Sequence, residues 1–173
     1  MTTQRPRPLC AALASLPPAR TTNKKVDGMP EISGITTLLR DADSLPDTLA
    51  AGFDAFEAMR QLARGCEDAV PALFAAFMTT ADAAIDGRDA ITIAPALPPS
   101  RAATGVRMPQ ASVPAEEIAG VLAGLGALLA DRLSQAATLA ATTQDRTACT
   151  EAALAAERIC QLMARGSDDS RPR

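Results

Sequence analysis

The chain of 173 residues contains no tryptophan, no tyrosine and no histidine. The missing histidine removes the most common general base, the usual serine or cysteine catalytic triads and most transition-metal sites. The sequence also lacks the glycine-rich phosphate loops of the GxGxxG and GxxxxGK(S/T) types. We therefore predict that the protein is not an enzyme and that it has no catalytic residue, cofactor site or metal site.

Aromatic side chains are limited to four phenylalanines, which form the pairs Phe53 with Phe56 and Phe74 with Phe77. Alanine is abundant instead, at 38 of 173 residues, so the core must be thin and its helices must pack closely. Both phenylalanine pairs have helical spacing. We predict that they anchor the core of one helical hairpin, and a partner-binding groove is the alternative.

Lysine and long apolar runs are also scarce. Two lysines stand against 15 arginines, which indicates the codon bias of a GC-rich bacterial genome. The longest uncharged apolar run covers 13 residues, 118–130, and about 20 are needed to cross a bilayer. The four cysteines form no CxxC motif, and we predict that they are reduced thiols. We predict a cytoplasmic protein with no membrane contact.

Charge is unevenly distributed along the chain. Residues 1–30 contain five basic residues, one acid and five prolines, for a net charge of +4, whereas residues 31–87 have a net charge of −7. We predict that residues 1–30 form a disordered basic arm. A regulator that binds nucleic acid through this arm is one alternative function, although sparse charges make nucleic-acid binding a weak expectation.

Residues 31–87 are predicted to form a first helical hairpin with a short leading helix. Its first main helix covers residues 46–64, with Ser44 as the N-terminal cap and Gly65 as the stop. The apolar side chains in this segment recur at steps of three and four residues, which is typical of a helix with one buried face.

The second helix of this hairpin follows after only about four residues, so the two helices must be antiparallel. Glu67-Asp68 is its expected cap, Pro71 falls in its first turn, and Asp86-Gly87 is its expected end.

The rest of the chain is predicted to form a Pro/Ala-rich linker at residues 88–113, a second helical hairpin at residues 114–166 and a polar tail at residues 167–173. We expect the linker to be partly extended at residues 91–93. The third helix begins near Pro114 behind Ser112 as its cap. The fourth starts at the cap Thr142 or Thr143 and runs to Arg165, with Gly166 as the stop. The predicted fold is all-α, with four main helices as two antiparallel hairpins that resemble a four-helix bundle.

Paired carboxylates offer another alternative function. Asp54 with Glu57, and Asp82 with Asp86, have helical spacing, and carboxylates on facing helices can bind two metal ions. These acids fall on the polar sides of their helices, so we expect solvated faces, with a carboxylate-based metal-binding protein as the alternative. Cys66 is a weak thiol candidate because the neighbouring acids oppose formation of a thiolate.

The third predicted helix provides the candidate interaction surface. No charged residue interrupts it between Glu117 and Asp131, and its larger apolar residues fall on one side. The other side consists of Ala119, Gly120, Ala123, Gly124 and Ala127. The sequence leaves three alternatives for this side: it is exposed to solvent, it is buried within the bundle, or it is covered by another chain. We predict a non-enzymatic helical interaction or assembly module whose partner is an unknown protein or a second copy of this chain.

Overall fold

The computed structural model describes residues 30–68, 71–99 and 113–169. The predicted basic arm, apart from its last residue, lies outside the described residues, and so do residues 100–112 of the predicted linker, which include Ser112. The described part is all-helical and contains no strand.

Five α-helices are present in the described residues, instead of the four main helices predicted. The additional one is the leading segment, which forms a full helix of 12 residues. A 3₁₀ turn, Pro71–Leu73, precedes the third helix. The helices are α1 (Pro30–Asp41), α2 (Leu45–Cys66), α3 (Phe74–Thr92), α4 (Ala115–Leu139) and α5 (Thr143–Asp169).

Two of the helices have a hydroxyl side chain as their N-terminal cap, as expected. Ser44 caps α2, where its Oγ accepts a hydrogen bond from the backbone N–H of Asp47 at 3.3 Å. Thr142 precedes α5, and its Oγ1 accepts from the backbone N–H of Asp145 at 3.0 Å. Each hydroxyl satisfies an N–H group that has no partner within its own helix.

The predicted stops at glycine were wrong. Gly65, Gly87 and Gly166 all lie inside helices, which end later, at Cys66, Thr92 and Asp169. The predicted extended segment at residues 91–93 was therefore also wrong, and the first three residues of the predicted tail are helical. The expected Glu67-Asp68 cap is likewise replaced, since α3 follows Leu73 with no side-chain cap. Gly87 shows why such signals fail, because tertiary packing requires a glycine there.

Helices α2 and α3 form an antiparallel pair. The last turn of α2 meets the middle of α3 at the ion pair of Arg64 with Asp82, and Glu57 pairs with Arg88 further along α3. Next to the pair of Glu57 with Arg88, the ring of Phe56 covers Gly87, where an added Cβ would lie only 2.3 Å from ring atoms. The glycine thus gives the largest buried side chain of α2 its space.

Helices α4 and α5 also run antiparallel and pack at very short range. A Cβ added at Gly126 would lie 3.0 Å from the carbonyl oxygen of Ala156 and 3.1 Å from the backbone nitrogen of Cys160. A close approach of two helix backbones therefore occurs within the chain, at Gly126.

The remaining contacts join these two pairs and add α1. Helix α3 packs on α5, α2 packs on α4, and α1 contacts both α2 and α4. Arg132 of α4 donates from Nη2 to the carbonyl oxygen of Ala42, directly after α1. Apolar side chains from all five helices form one buried cluster. Within the described residues, no helix is both long and apolar enough to cross a membrane.

Candidate functional site

The predicted surface on α4 is smaller than the sequence indicated. Ala119 is completely buried, so it cannot belong to an exposed surface. Gly120 and Gly124 are exposed, and a Cβ added at either would meet no atom within 4 Å. Ala123 and Ala127 are half-buried. The four remaining residues form a shallow uncharged stripe on the outer side of α4.

A more strongly apolar surface lies at the start of α3. Phe74 is 42% exposed and Met78 is 39% exposed, and their spacing of four residues places them on one side of the helix. Pro71, Ala72 and Ala75 are exposed beside them. We call these five residues the α3 surface. It is the part of the described chain where two large exposed apolar side chains are neighbours on one helix face.

The phenylalanine pairs are therefore split between core and surface. Phe56 and Phe77 are completely buried, whereas Phe53 is half-buried and Phe74 is exposed. The prediction that the pairs anchor the hairpin core holds for one member of each pair. Helical spacing places Phe74 and Phe77 about 60° apart around the axis, so one can face inward while the other faces out.

Acidic side chains flank the α3 surface along the chain. Asp68 precedes it and is exposed, and Asp82 and Asp86 follow it and are exposed. The guanidinium of Arg64, at the end of α2, is shared by Glu67, at 3.0 Å, and Asp82, at 3.4 Å. Along the chain, the surface thus has an apolar centre with exposed acids before and after it.

Glu57 departs from the predicted solvated face. It is only 8% exposed, and both of its carboxylate oxygens are occupied. Arg60 donates to Oε1 at 2.5 Å and to Oε2 at 3.0 Å, Gln61 donates to Oε1 at 2.8 Å, and Arg88 donates to Oε2 at 3.2 Å. The hydrogen bond from Arg60 lowers the pKa of Glu57 to about 2, aided by Gln61 and Arg88 and opposed by burial. This carboxylate is a structural link between α2 and α3.

Asp145 is a second buried acid whose position the sequence did not reveal. Its Oδ1 accepts from the backbone N–H of Ala96 at 2.9 Å, and its Oδ2 accepts from the hydroxyl of Thr142 at 2.6 Å. The side-chain amide of Gln144 donates to the carbonyl oxygen of Ile93 at 2.7 Å. Together these bonds attach the segment after α3 to the start of α5.

Thiol and metal chemistry have little support among the described residues. Cys66, Cys149 and Cys160 are buried, and burial raises the pKa of the Cys66 thiol. Burial and the charge of Asp145 raise the pKa of Cys149 to about 11. Such pKa values oppose the thiolate form that a nucleophile requires. In the same residues, no group of three or more cysteine, aspartate or glutamate side chains could hold a metal ion.

Sequence reasoning kept a partner-binding groove at the phenylalanine pairs only as an alternative and did not single out the start of α3, although a further signal was present. The stretch between Asp68 and Asp82 carries no charge, and its side chains are apolar except for two threonines. The same absence of charge that drew attention to α4 therefore also marks the start of α3. The chain matches no protein-family model, no curated protein and no solved structure.

Proposed function

We propose that this protein is a non-enzymatic interaction or assembly module of the cytoplasm that binds a protein partner through the α3 surface. The observation that carries the proposal is the exposure of Phe74 and Met78 side by side in an uncharged stretch. Aromatic and methionine side chains are enriched at the centres of protein interfaces. The partner is a second copy of this chain or another protein.

The energy available from these two side chains is large enough to contribute to specific binding. Full burial of a phenylalanine or methionine side chain contributes about 1.5–3 kcal/mol. Because each is about 40% exposed, covering both would contribute about 1–2 kcal/mol in total. That contribution corresponds to a change in affinity of about five- to thirtyfold.

The buried polar groups support a scaffold role. Both oxygens of Glu57 are engaged by arginine and glutamine side chains, and Asp145 connects two segments of backbone. The free thiols of Cys66 and Cys149 are consistent with a reducing compartment. These groups hold helices in place, which is the role expected of a rigid interaction module.

We further propose that α2, α3, α4 and α5 form a four-helix bundle with α1 on its outside. The support is that α2 packs on α3, α3 on α5, α5 on α4 and α4 on α2. These contacts close a ring in which the two antiparallel pairs lie against each other. Such a scaffold keeps the α3 surface on a rigid element.

The test compares matched full-length variants. We expect the double variant Phe74→Ser/Met78→Gln to lose self-association in sedimentation experiments, or to lose a protein that the wild type captures from extract. Leu154→Gln on α5 is the control, because Leu154 is 59% exposed and lies outside the α3 surface. Circular dichroism checks that every variant keeps its helical content. Equal binding by the double variant and the wild type would refute the proposal.

The surface predicted on α4 is tested in the same assays. Ala123→Glu places a charge in the uncharged stripe while leaving the α3 surface intact. Loss of binding in this variant, with retention in Phe74→Ser/Met78→Gln, would move the binding site to α4.

A further inference from the structure

The α3 surface has the chemical character of a receptor for an apolar segment with basic ends. Its centre is Phe74 and Met78, and the exposed acids Asp68, Asp82 and Asp86 lie on either side in the chain. Arg64 is already shared between two acids, so it neutralises only part of this charge. A complementary ligand would be uncharged and apolar in the middle and positively charged at both ends.

The chain contains a segment of this kind outside the described residues. Residues 9–16, Leu-Cys-Ala-Ala-Leu-Ala-Ser-Leu, carry no charge. Arg5 and Arg7 precede them and Arg20 follows. Leu9, Leu13 and Leu16 are the large apolar side chains of this stretch, which is the strongest apolar sequence before residue 30.

We propose that residues 5–20 bind the α3 surface of the same molecule and compete with the partner for it. This inference rests on the proposed function, since it gives the α3 surface an internal ligand. The basic charges of the segment face the acids around the surface, and its leucines cover Phe74 and Met78. Partner binding then requires displacement of the segment, which makes the contact autoinhibitory.

The length of the connection permits binding within one molecule. Fourteen residue steps separate Leu16 from Pro30, where α1 begins, and at about 3.3 Å per residue they span up to about 46 Å. The longest helix, α5, has 27 residues and is about 40 Å long. The segment can therefore reach either end of the helices, and a tether of this kind holds it at a high local concentration.

Cys10 provides a native probe of this contact, because it lies inside the segment and the other three cysteines are buried. The rate at which a water-soluble maleimide labels Cys10 in the full chain reports how often the segment is free. A segment that is bound about nine-tenths of the time would be labelled about tenfold more slowly than a free one.

We expect Phe74→Ser/Met78→Gln to accelerate labelling of Cys10 severalfold, and Leu154→Gln to leave the rate unchanged. Leu13→Asp, within the segment, should accelerate it to a similar extent. Combining Leu13→Asp with the surface variant should add little, because both remove the same contact. High salt should also accelerate labelling of the wild type, since ion pairs contribute.

Two results would overturn the proposal. One is an unchanged labelling rate in the surface variant, and the other is a rate in wild type that slows with protein concentration, which indicates binding to a second copy. Partner capture tests the proposed function and labelling of Cys10 tests the internal ligand, so either proposal can fail without the other. If the surface variant loses the partner while labelling of Cys10 stays the same, the proposed function stands and the internal ligand is wrong.

Discussion

Replacing Thr80 with valine is expected to stabilise the protein. Thr80 is completely buried in α3, and its hydroxyl oxygen has no hydrogen-bond partner. Valine has nearly the same shape, is also branched at Cβ and has a similar helix propensity. The substitution therefore removes an unsatisfied polar group from the core while changing little else.

The expected gain follows from the cost of burying that hydroxyl. An unsatisfied buried polar group costs about 1–3 kcal/mol, so Thr80→Val should raise the free energy of unfolding by about that amount. Each kcal/mol should raise the Tm of a domain of this size by about 2–4 °C.

Thr48→Val in α2 is the matched control. Thr48 is buried too, but its hydroxyl donates to the carbonyl oxygen of Ser44 at 2.9 Å. That carbonyl also accepts from the backbone N–H of Thr48, so it keeps a partner when the hydroxyl is removed. The control should therefore lose about 0.5–1 kcal/mol, at the low end for a hydrogen bond.

Urea unfolding monitored by helical circular dichroism measures both variants, since the chain has no tryptophan or tyrosine for fluorescence. The midpoint should rise for Thr80→Val and fall for Thr48→Val, with unchanged m-values. If Thr80→Val destabilises the protein as much as the control does, the hydroxyl of Thr80 has a partner in solution and the reasoning is wrong.

Three further predictions concern α2, α3 and α4. Because the pKa of Glu57 is lowered to about 2, its contribution to stability is present above about pH 4.5 and is lost as the pH falls toward 2. Urea unfolding of Glu57→Gln across this range should show lower stability at neutral pH and a weaker acid dependence than the wild type. Asp82→Asn, which breaks an exposed ion pair, should change stability by less than about 1 kcal/mol. Gly87→Ala should destabilise the protein by about 1–3 kcal/mol because its Cβ meets the ring of Phe56, while Gly120→Ala, facing open space, should stabilise it by up to about 1 kcal/mol. Equal thermal shifts for the two glycine variants would contradict this packing argument.

The all-helical fold and several helix starts could be predicted because they depend on local chemistry. Ser44 caps α2 through a bond to a residue three positions away, and apolar residues at steps of three and four mark the buried faces. The predicted helix ends at Gly65, Gly87 and Gly166 were wrong. A glycine permits a helix to stop but does not require it, and at Gly87 a side chain from another helix determines its role.

The candidate site was predicted less well for a related reason. The absence of charged residues marks two helical stretches, but it does not indicate which side of each helix faces the core. Ala119 proved to be buried, and Phe74 proved to be exposed although Phe77 beside it is not. Which side chains of a helix are buried depends on where the neighbouring helices lie around that helix's axis.

The sequence alone determined that the described chain is helical, where several helices begin, and that no histidine is available for chemistry. Those properties follow from composition and from interactions within a few residues. Only the tertiary structure decided that Glu57 is buried and pairs with Arg88, that Gly126 lies against α5 and that Phe74 faces outward. Each of these depends on contacts, or on missing contacts, with residues far away in the chain, which local spacing does not specify.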